Sequence, residues 1–305
     1  MFGGSCMTQM LIDSASLWYR AYYGMPETLQ SPKGEPINAI KGFIDMTARL
    51  INHYQPSEIA LCLDGDWRPS WRVELYPDYK LNRVDDEGDE EEPDLLTPQI
   101  PYILDFFDAI GFSVIGIDDY EADDVIATLA DRCELPVRIV TGDRDLFQLV
   151  DDEKDKKVVY LAKGISAHDL VDLSWISKKY SIPGERYSLF AMIRGDASDG
   201  LPGIKGIGEK GAAKIAEHFA SMQEVIDAAT SEDPKLHDTH RKRILADLDY
   251  AKIATQLVSC ARDIRLPQED LKIGTGPKDK KAVEKLKSEL GLGASVDRLF
   301  AALRW

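Results

Sequence analysis

The sequence predicts an α/β fold: a mainly parallel sheet flanked by helices, followed by a helical region. Three observations carry that expectation. Hydrophobic runs at 10–13, 59–64 and 137–143, each with the length and aliphatic or β-branched content of a buried strand, all end on an aspartate. Helical stretches separate these runs, and strands joined by helices lie parallel. Beyond about residue 180 the strand signal fades and helical periodicity takes over.

In chain order, the first strand ends at Asp13, and a helix over 38–53 follows, with Ile40, Phe43, Ile44 and Ile51 at helical spacing. A second strand runs to Asp64, a helix covers 95–110, and a third strand covers 112–117. A helix opens at Glu121, a strand runs to Thr141, and another spans 157–161. Helices are then expected at 186–194, 209–219, 241–260 and 280–290. The division is an α/β domain at 1–180 and a helical region at 181–305. No long Gly/Ser linker separates the halves, so they should pack together and share a cleft.

With 305 residues and 44% hydrophobic content, the chain can build a real core. No apolar stretch approaches the ~20 residues of a membrane span, and the first residues lack a secretory signature, so a cytoplasmic protein is expected. Cys6, Cys62, Cys133 and Cys260 are scattered and read as buried thiols rather than a zinc or disulfide framework. His53, His168, His218, His237 and His240 fit no acid-base or ligand pattern, and His218 reads as structural.

The formal charge of −16 argues at first against nucleic acid, because phosphate binding is driven by lysine and arginine. Distribution matters more. Part of the acid lies in the run 85–92, which should stay solvated and mobile. Basic residues gather later, at Lys178-Lys179, at Lys205, Lys210 and Lys214, and at Arg241-Lys242-Arg243.

Groups at the carboxyl ends of parallel strands meet along one sheet edge. Asp13 and Asp64 fall there, and Glu121, Asp123 and Asp124 open a helix after a strand, as Asp143 and Asp145 follow another. Crowded carboxylates repel one another unless protons or cations compensate, and an oxygen-only set suits magnesium or manganese. Farther on, Asp196 and Asp199 precede the glycine-dense segment 200–208, which runs into a helix. Glycines there let backbone amides approach a phosphate, and the helix presents its positive end.

The segments 75–83, 120–127, 141–149 and 195–208 together resemble the structure-specific 5′ nuclease family. That family includes flap endonucleases and the 5′ nuclease domain at the front of bacterial DNA polymerase I. The similarity covers nearly the whole chain, in order, and the chain looks like a free-standing bacterial member or an excised domain. It implies a PIN-like 5′ nuclease fold, with a catalytic domain at 1–180 that carries an arch segment at about 68–97, a helical DNA-binding region at 181–305 with a helix-hairpin-helix at about 190–220, and two or more divalent ions, Mg2+ or Mn2+. Asp13, Asp64, Glu121, Asp123 and Asp124 match the acids around one metal position, and Asp143, Asp145, Asp196 and Asp199 those around the second. Arg72, Lys80 and Arg83 match cations near the scissile phosphate and in the arch. The segment of Gly203, Lys205, Gly206 and Gly208 matches a helix-hairpin-helix that holds duplex DNA, often with a monovalent cation such as K+; Lys210 and Lys214 lie beside it. Tyr19 and Tyr79 are candidates to stack on an unpaired base. The acidic run 85–92 departs from the basic or amphipathic arch of the family and would repel an anionic strand.

The resemblance therefore implies metal-assisted hydrolysis of DNA by a monomer acting on 5′ flaps, nicks or gaps, or on RNA-primed ends, in replication and repair. Two alternatives stay open at the level of sequence. One is a catalytically silent DNA-binding paralogue; the other is a small-molecule phosphatase using Asp64 and Asp66.

Overall fold

The computed structural model describes residues 7–84 and 92–305; the acidic run expected at 85–92 therefore lies almost wholly outside the described residues. The first part of the chain runs β1 (Gln9–Asp13), α1 (Ser14–Gly24), α2 (Asn38–Tyr54), β2 (Glu58–Asp64), α3 (Ser70–Leu75), α4 (Ile100–Ile110) and β3 (Ser113–Ile117). It continues through α5 (Ala122–Arg132), β4 (Val137–Thr141), β5 (Lys156–Tyr160), β6 (Asp169–Val171) and α6 (Leu173–Tyr180). Helices then follow one another: α7 (Tyr187–Arg194), α8 (Glu209–Ala216), α9 (Met222–Thr230), α10 (Asp238–Ala246), α11 (Leu248–Val258), α12 (Lys280–Glu289) and α13 (Gly293–Leu303).

The six strands lie in the order β3-β2-β1-β4-β5-β6, all neighbours parallel except the β5–β6 pair. β1 is central, and Met10, Leu11 and Ile12 are fully buried, as a strand covered on both faces requires. The chain leaves β1 toward β2 and later returns on its other side as β4. The order reverses there, and such a switch opens a crevice at the carboxyl ends of the strands.

The α/β expectation stands, with additions. α1 begins directly after Asp13, whose carboxylate caps it by accepting from the Ser16 amide at 3.1 Å. β6 is a three-residue edge strand. The single helix expected over 241–260 is two, broken at Asp247, whose carboxylate receives the Lys205 amide at 2.8 Å. Cys62 and Cys260 are buried free thiols, and Cys133 is half-buried. Among the described residues, no helix is long and apolar enough to cross a membrane.

Two apolar cores flank the sheet. One carries Leu11, Ile139 and Val158 together with Val125 of α5 and continues without interruption into Tyr187, Phe190, Ile215 and Ala254 of the helical region. The other holds Ile40, Phe43 and Phe107 together with Val283, Val296 and Leu299. The last two helices therefore pack onto α2 and α4 of the sheet domain, not against the helix-hairpin-helix. Leu299 is fully buried there. Leu299→Ala should cost about 2–5 kcal/mol by leaving a cavity, read as a lower urea midpoint; an unchanged midpoint would place α13 outside the cooperative fold.

Candidate active site

A cavity of about 860 Å3 opens at the carboxyl ends of the central strands. Asp13 and Asp64 reach it from the ends of β1 and β2, Asp143 from the turn after β4, and Glu121 and Asp123 from the start of α5. Asp196 and Asp199 enter from the hairpin that follows α7. Acids far apart in the chain, from Asp13 to Asp199, thus share one space.

Few neighbours compensate several of these charges. Asp13 accepts from the Thr141 hydroxyl at 2.7 Å, yet burial, and then the nearby Asp64 and Asp143, push its pKa up to about 7. Asp64 accepts from the Ala122 amide at 2.7 Å and is also raised, chiefly by burial. Asp123 is raised well above the usual carboxylate range by desolvation, then by Asp143 and Asp13. Asp145 behaves likewise, through desolvation and then Asp143, Asp199 and Asp196. It lines a small adjoining pocket of about 20 Å3, room for about one water. Asp199 is pushed up to about 6 by desolvation against the opposing pull of Lys80 and Arg83.

Glu121 and Asp196 are satisfied by protein. Glu121, although desolvated, is held below the usual range by Lys80 at 2.7 Å and Arg72 at 3.2 Å. Asp196, likewise desolvated, is held low by Ser198, whose amide donates at 2.9 Å, and by Arg144 at 3.3 Å.

Asp124 departs from the expected metal position. It is fully buried, does not line the cavity, and accepts both terminal nitrogens of Arg72 at 2.8 Å and the Ala261 amide at 2.7 Å. Its oxygens are consumed behind the site. Arg72, expected near the reacting phosphate, does not line the cavity: 3% exposed, it lies over the Trp71 ring at 4.3 Å and ties α3 to α5. Tyr79 is corrected too. At 3% exposure, with its hydroxyl donating to Glu121 at 2.7 Å, it has no face free to stack on a base. Asp66 turns from the cavity to receive the Asp119 amide, which removes the paired acid that a phosphatase reading needed.

Lys80 and Arg83 do face the cavity. Lys80 sits in the left-handed region at φ 50°, which aims its ammonium at Glu121 and the Trp67 carbonyl; desolvation opposes its charge, but Glu121, Asp199 and Asp64 hold its proton firmly. The Lys80 amide donates to the Asp199 carbonyl at 2.9 Å, and Asn82 and Arg83 both donate to the Ser198 carbonyl at 3.2 Å. The base of the arch is thereby fastened to the hairpin. Tyr19 lines the cavity, half-buried.

Sequence reasoning missed Arg20, Tyr23 and Arg144, which also line the cavity. Tyr23 is 73% exposed, and among the described residues the buried Arg20 Nε has no hydrogen-bond partner. Tyr23 follows Tyr19 by four positions and Arg20 by three along α1, a signal readable only once α1 is recognised. Arg144 lies between Asp143 and Asp145, and in the sequence nothing distinguishes it from a solvated surface charge.

The helix-hairpin-helix forms as expected from α7, the segment 195–208 and α8. Gly203 serves packing: it is buried at φ +65°, and a Cβ there would lie 2.5 Å from the Gly195 amide nitrogen. Gly206, Gly208, Lys205, Lys210 and Lys214 are on the exposed side, where an anion can reach them.

The donor set fits divalent metal. Among the described residues, the cavity lining offers carboxylate oxygens and no imidazole or thiol, and the elevated pKa values mark missing positive charge. Among the described residues no three of His, Cys, Asp or Glu already stand together as a ready-made ion cage; magnesium is commonly held by one or two carboxylates with retained water. A test follows from the sign of the shifts. A carboxyl raised from 3.8 to about 7, as Asp13 is, binds its proton more tightly in the folded chain, so its contribution is full below about pH 4 and is lost as pH climbs through about 7. Ion-free protein should therefore melt lower at about pH 8 than at about pH 5, and magnesium should raise the melting temperature more at the higher pH. Equal magnesium shifts at both would contradict the electrostatics described.

Residues 8–181 match the family described as 5'-3' exonuclease, N-terminal resolvase-like domain, and residues 182–281 match 5'-3' exonuclease, C-terminal SAM fold. The chain belongs to the 5′-3′ exonuclease family. Within this exonuclease family it is 44% identical over 299 residues to a 5'-3' exonuclease of Streptomyces coelicolor, covering 96% of this chain and 99% of that one. A 5'-3' exonuclease of Mycobacterium tuberculosis is 38% identical, with 96% and 97% covered. DNA polymerase I of the same organism is 35% identical across 97% of this chain but only 32% of the polymerase. Among solved structures, T5 5'-exonuclease with bound divalent zinc ions superposes with a TM-score of 0.65 over 97% of each chain at 18% identity, a likeness of fold. The exonuclease fold accounts for both halves of the chain, the resolvase-like sheet and the helical SAM-like part.

Proposed function

We propose that this exonuclease family member is a metal-dependent, structure-specific 5′ nuclease that hydrolyses DNA phosphodiesters where a 5′ single strand meets duplex. The observation that carries the reading is the convergence of acids from β1, β2, α5, the turn after β4 and the hairpin on one cavity, bordered by Lys80 and Arg83. Asp13, Asp64, Asp123, Asp143, Asp145 and Asp199 would hold the ions, with Glu121 and Asp196 supporting them while sharing cations of the protein. Divalent ions bound there supply the charge that lowers the pKa of an attacking water and stabilises the leaving 3′ oxygen.

This chain's own groups place the substrate. Lys80 and Arg83 offset charge building on the scissile phosphate, and Arg20 and Arg144 stand at the cavity wall to orient neighbouring phosphates. Tyr19 offers a ring to the unpaired base, with Tyr23 beside it. The exposed amides and lysines of the hairpin fix the duplex so that one bond reaches the acids. The products carry a 5′ phosphate and a 3′ hydroxyl.

Magnesium or manganese as the working ion, a potassium ion at the hairpin, a monomeric cytoplasmic enzyme, and flapped, nicked, gapped or RNA-primed DNA as substrate complete the proposal. The experiment is cleavage of a flapped duplex labelled on the flapped strand. Magnesium should release short 5′-phosphorylated products from near the junction, and chelator should abolish them. Cleavage that persists in chelator, or equal cutting of the blunt duplex interior, would count against the reading.

A further inference from the structure

Between α8 and α10 lies a groove of about 480 Å3 that, Lys214 apart, the chemistry above does not use. Lys214 and His218 line it on one side and Lys235, His237 and His240 on the other. The rings of His237 and His240 stand 6.0 Å apart. His240 packs over Gly211 of α8, where a Cβ would come within 3.2 Å of its Nε2, so the glycine leaves the imidazole its room. Among the described residues, the His240 ring has no hydrogen-bond partner, while His237 uses Nδ1 to accept the Thr239 amide at 3.2 Å.

The charges in and around this groove are mostly positive. Desolvation lowers the His240 pKa, and so do His237, Arg243 and Lys214. Of the acids, Glu217 lines the groove, and Asp238 is engaged by Arg241 at 2.7 Å. The groove also continues the hairpin. Arg243 crosses from α10 to donate to the Gly206 carbonyl, and Asp247, just beyond α10, accepts the Lys205 amide. Any polyanion lying on the exposed hairpin lysines is therefore led toward it.

We propose that this groove is a phosphate-backbone contact for the duplex arm of the substrate, extending the surface that the hairpin begins; the choice of duplex DNA rests on the nuclease reading above. An anion seated there favours the protonated form of the His240 imidazole, so binding takes up a proton and tightens as pH falls. Lys235 adds a positive charge at the groove wall.

The test is the affinity of a blunt fluorescent duplex, followed by anisotropy in chelator so that nothing is cut. Wild-type protein should bind about five-fold tighter at about pH 6 than at about pH 8, and H237Q/H240Q should lose most of that difference. K235E, at an exposed position that does not threaten folding, should bind several-fold more weakly at both pH values, with a salt dependence shallower by about one. An unchanged pH response in H237Q/H240Q together with unchanged affinity in K235E would overturn the proposal. Flap cleavage separates this from the wider reading. Protein that binds duplex as described but cuts no flap would sink the nuclease assignment and leave the groove standing. Protein that cuts flaps while both variants bind like wild type would do the reverse.

Discussion

Asp123→Asn is expected to slow flap cleavage by about a hundredfold to a thousandfold while leaving duplex affinity within a few-fold. Asp123 faces the cavity beside Asp13 and Asp143, and its charge is disfavoured by both. An amide removes one anionic oxygen from the ion-holding set and leaves every phosphate-facing lysine and arginine in place, so the loss falls on the rate of the chemical step. Removing that repulsion should also raise the melting temperature of ion-free protein, a sign opposite to that of most substitutions at partly buried sites. Steady-state kinetics with magnesium and melting curves in chelator together check it. Near-normal turnover would remove Asp123 from the metal set.

Arg72→Ala should destabilise the fold by about 3–5 kcal/mol, because it strands Asp124 in a fully buried position and takes one of two cations from Glu121. The cost comes from leaving an uncompensated charge inside. Arg72→Met combined with Asp124→Leu should therefore recover much of the lost stability in urea denaturation, as apolar groups of similar volume replace the pair. Cleavage should stay low in that double variant, since α3 and α5 lose the link that sets Glu121 against Lys80. A double variant as unstable as Arg72→Ala would mean that the position matters for packing and not for charge pairing. Asp124→Asn belongs with these changes: it should act first on stability, and so differ from its neighbour Asp123.

That contrast marks how far the sequence could be read. Strand ends were legible because strands buried on both faces are unbroken apolar runs, and Asp13, Asp64 and Asp143 follow from where those runs stop. The hairpin was legible from its glycines. Which of Asp123 and Asp124 faces the ions was not, because consecutive helical residues point about 100° apart and the partner that turns Asp124 inward lies 52 positions away at Arg72. Tyr79 was misread for the same reason, since its burial depends on Glu121 and on the fold of the arch base. α1 carried no clean apolar stripe: Trp18, Tyr19, Tyr22 and Tyr23 divide between core and cavity, so Arg20 and Tyr23 went unnoticed. The break at Asp247 was hidden inside a continuous helical pattern, and only the hairpin amide of Lys205 explains it. The return of α12 and α13 to the sheet depends on tertiary contacts with Phe43 and Phe107 that no local periodicity announces.

The central claim is that the clustered carboxylates form a pocket completed by divalent cations. A crystal soaked in manganese and measured for anomalous scattering tests it most directly. Peaks among Asp13, Asp64, Asp123, Asp143, Asp145 and Asp199, two of them about 4 Å apart, are the predicted result. A well-ordered crystal in millimolar manganese with no anomalous peak in the cavity, or with ions only on distant surface acids, would contradict it.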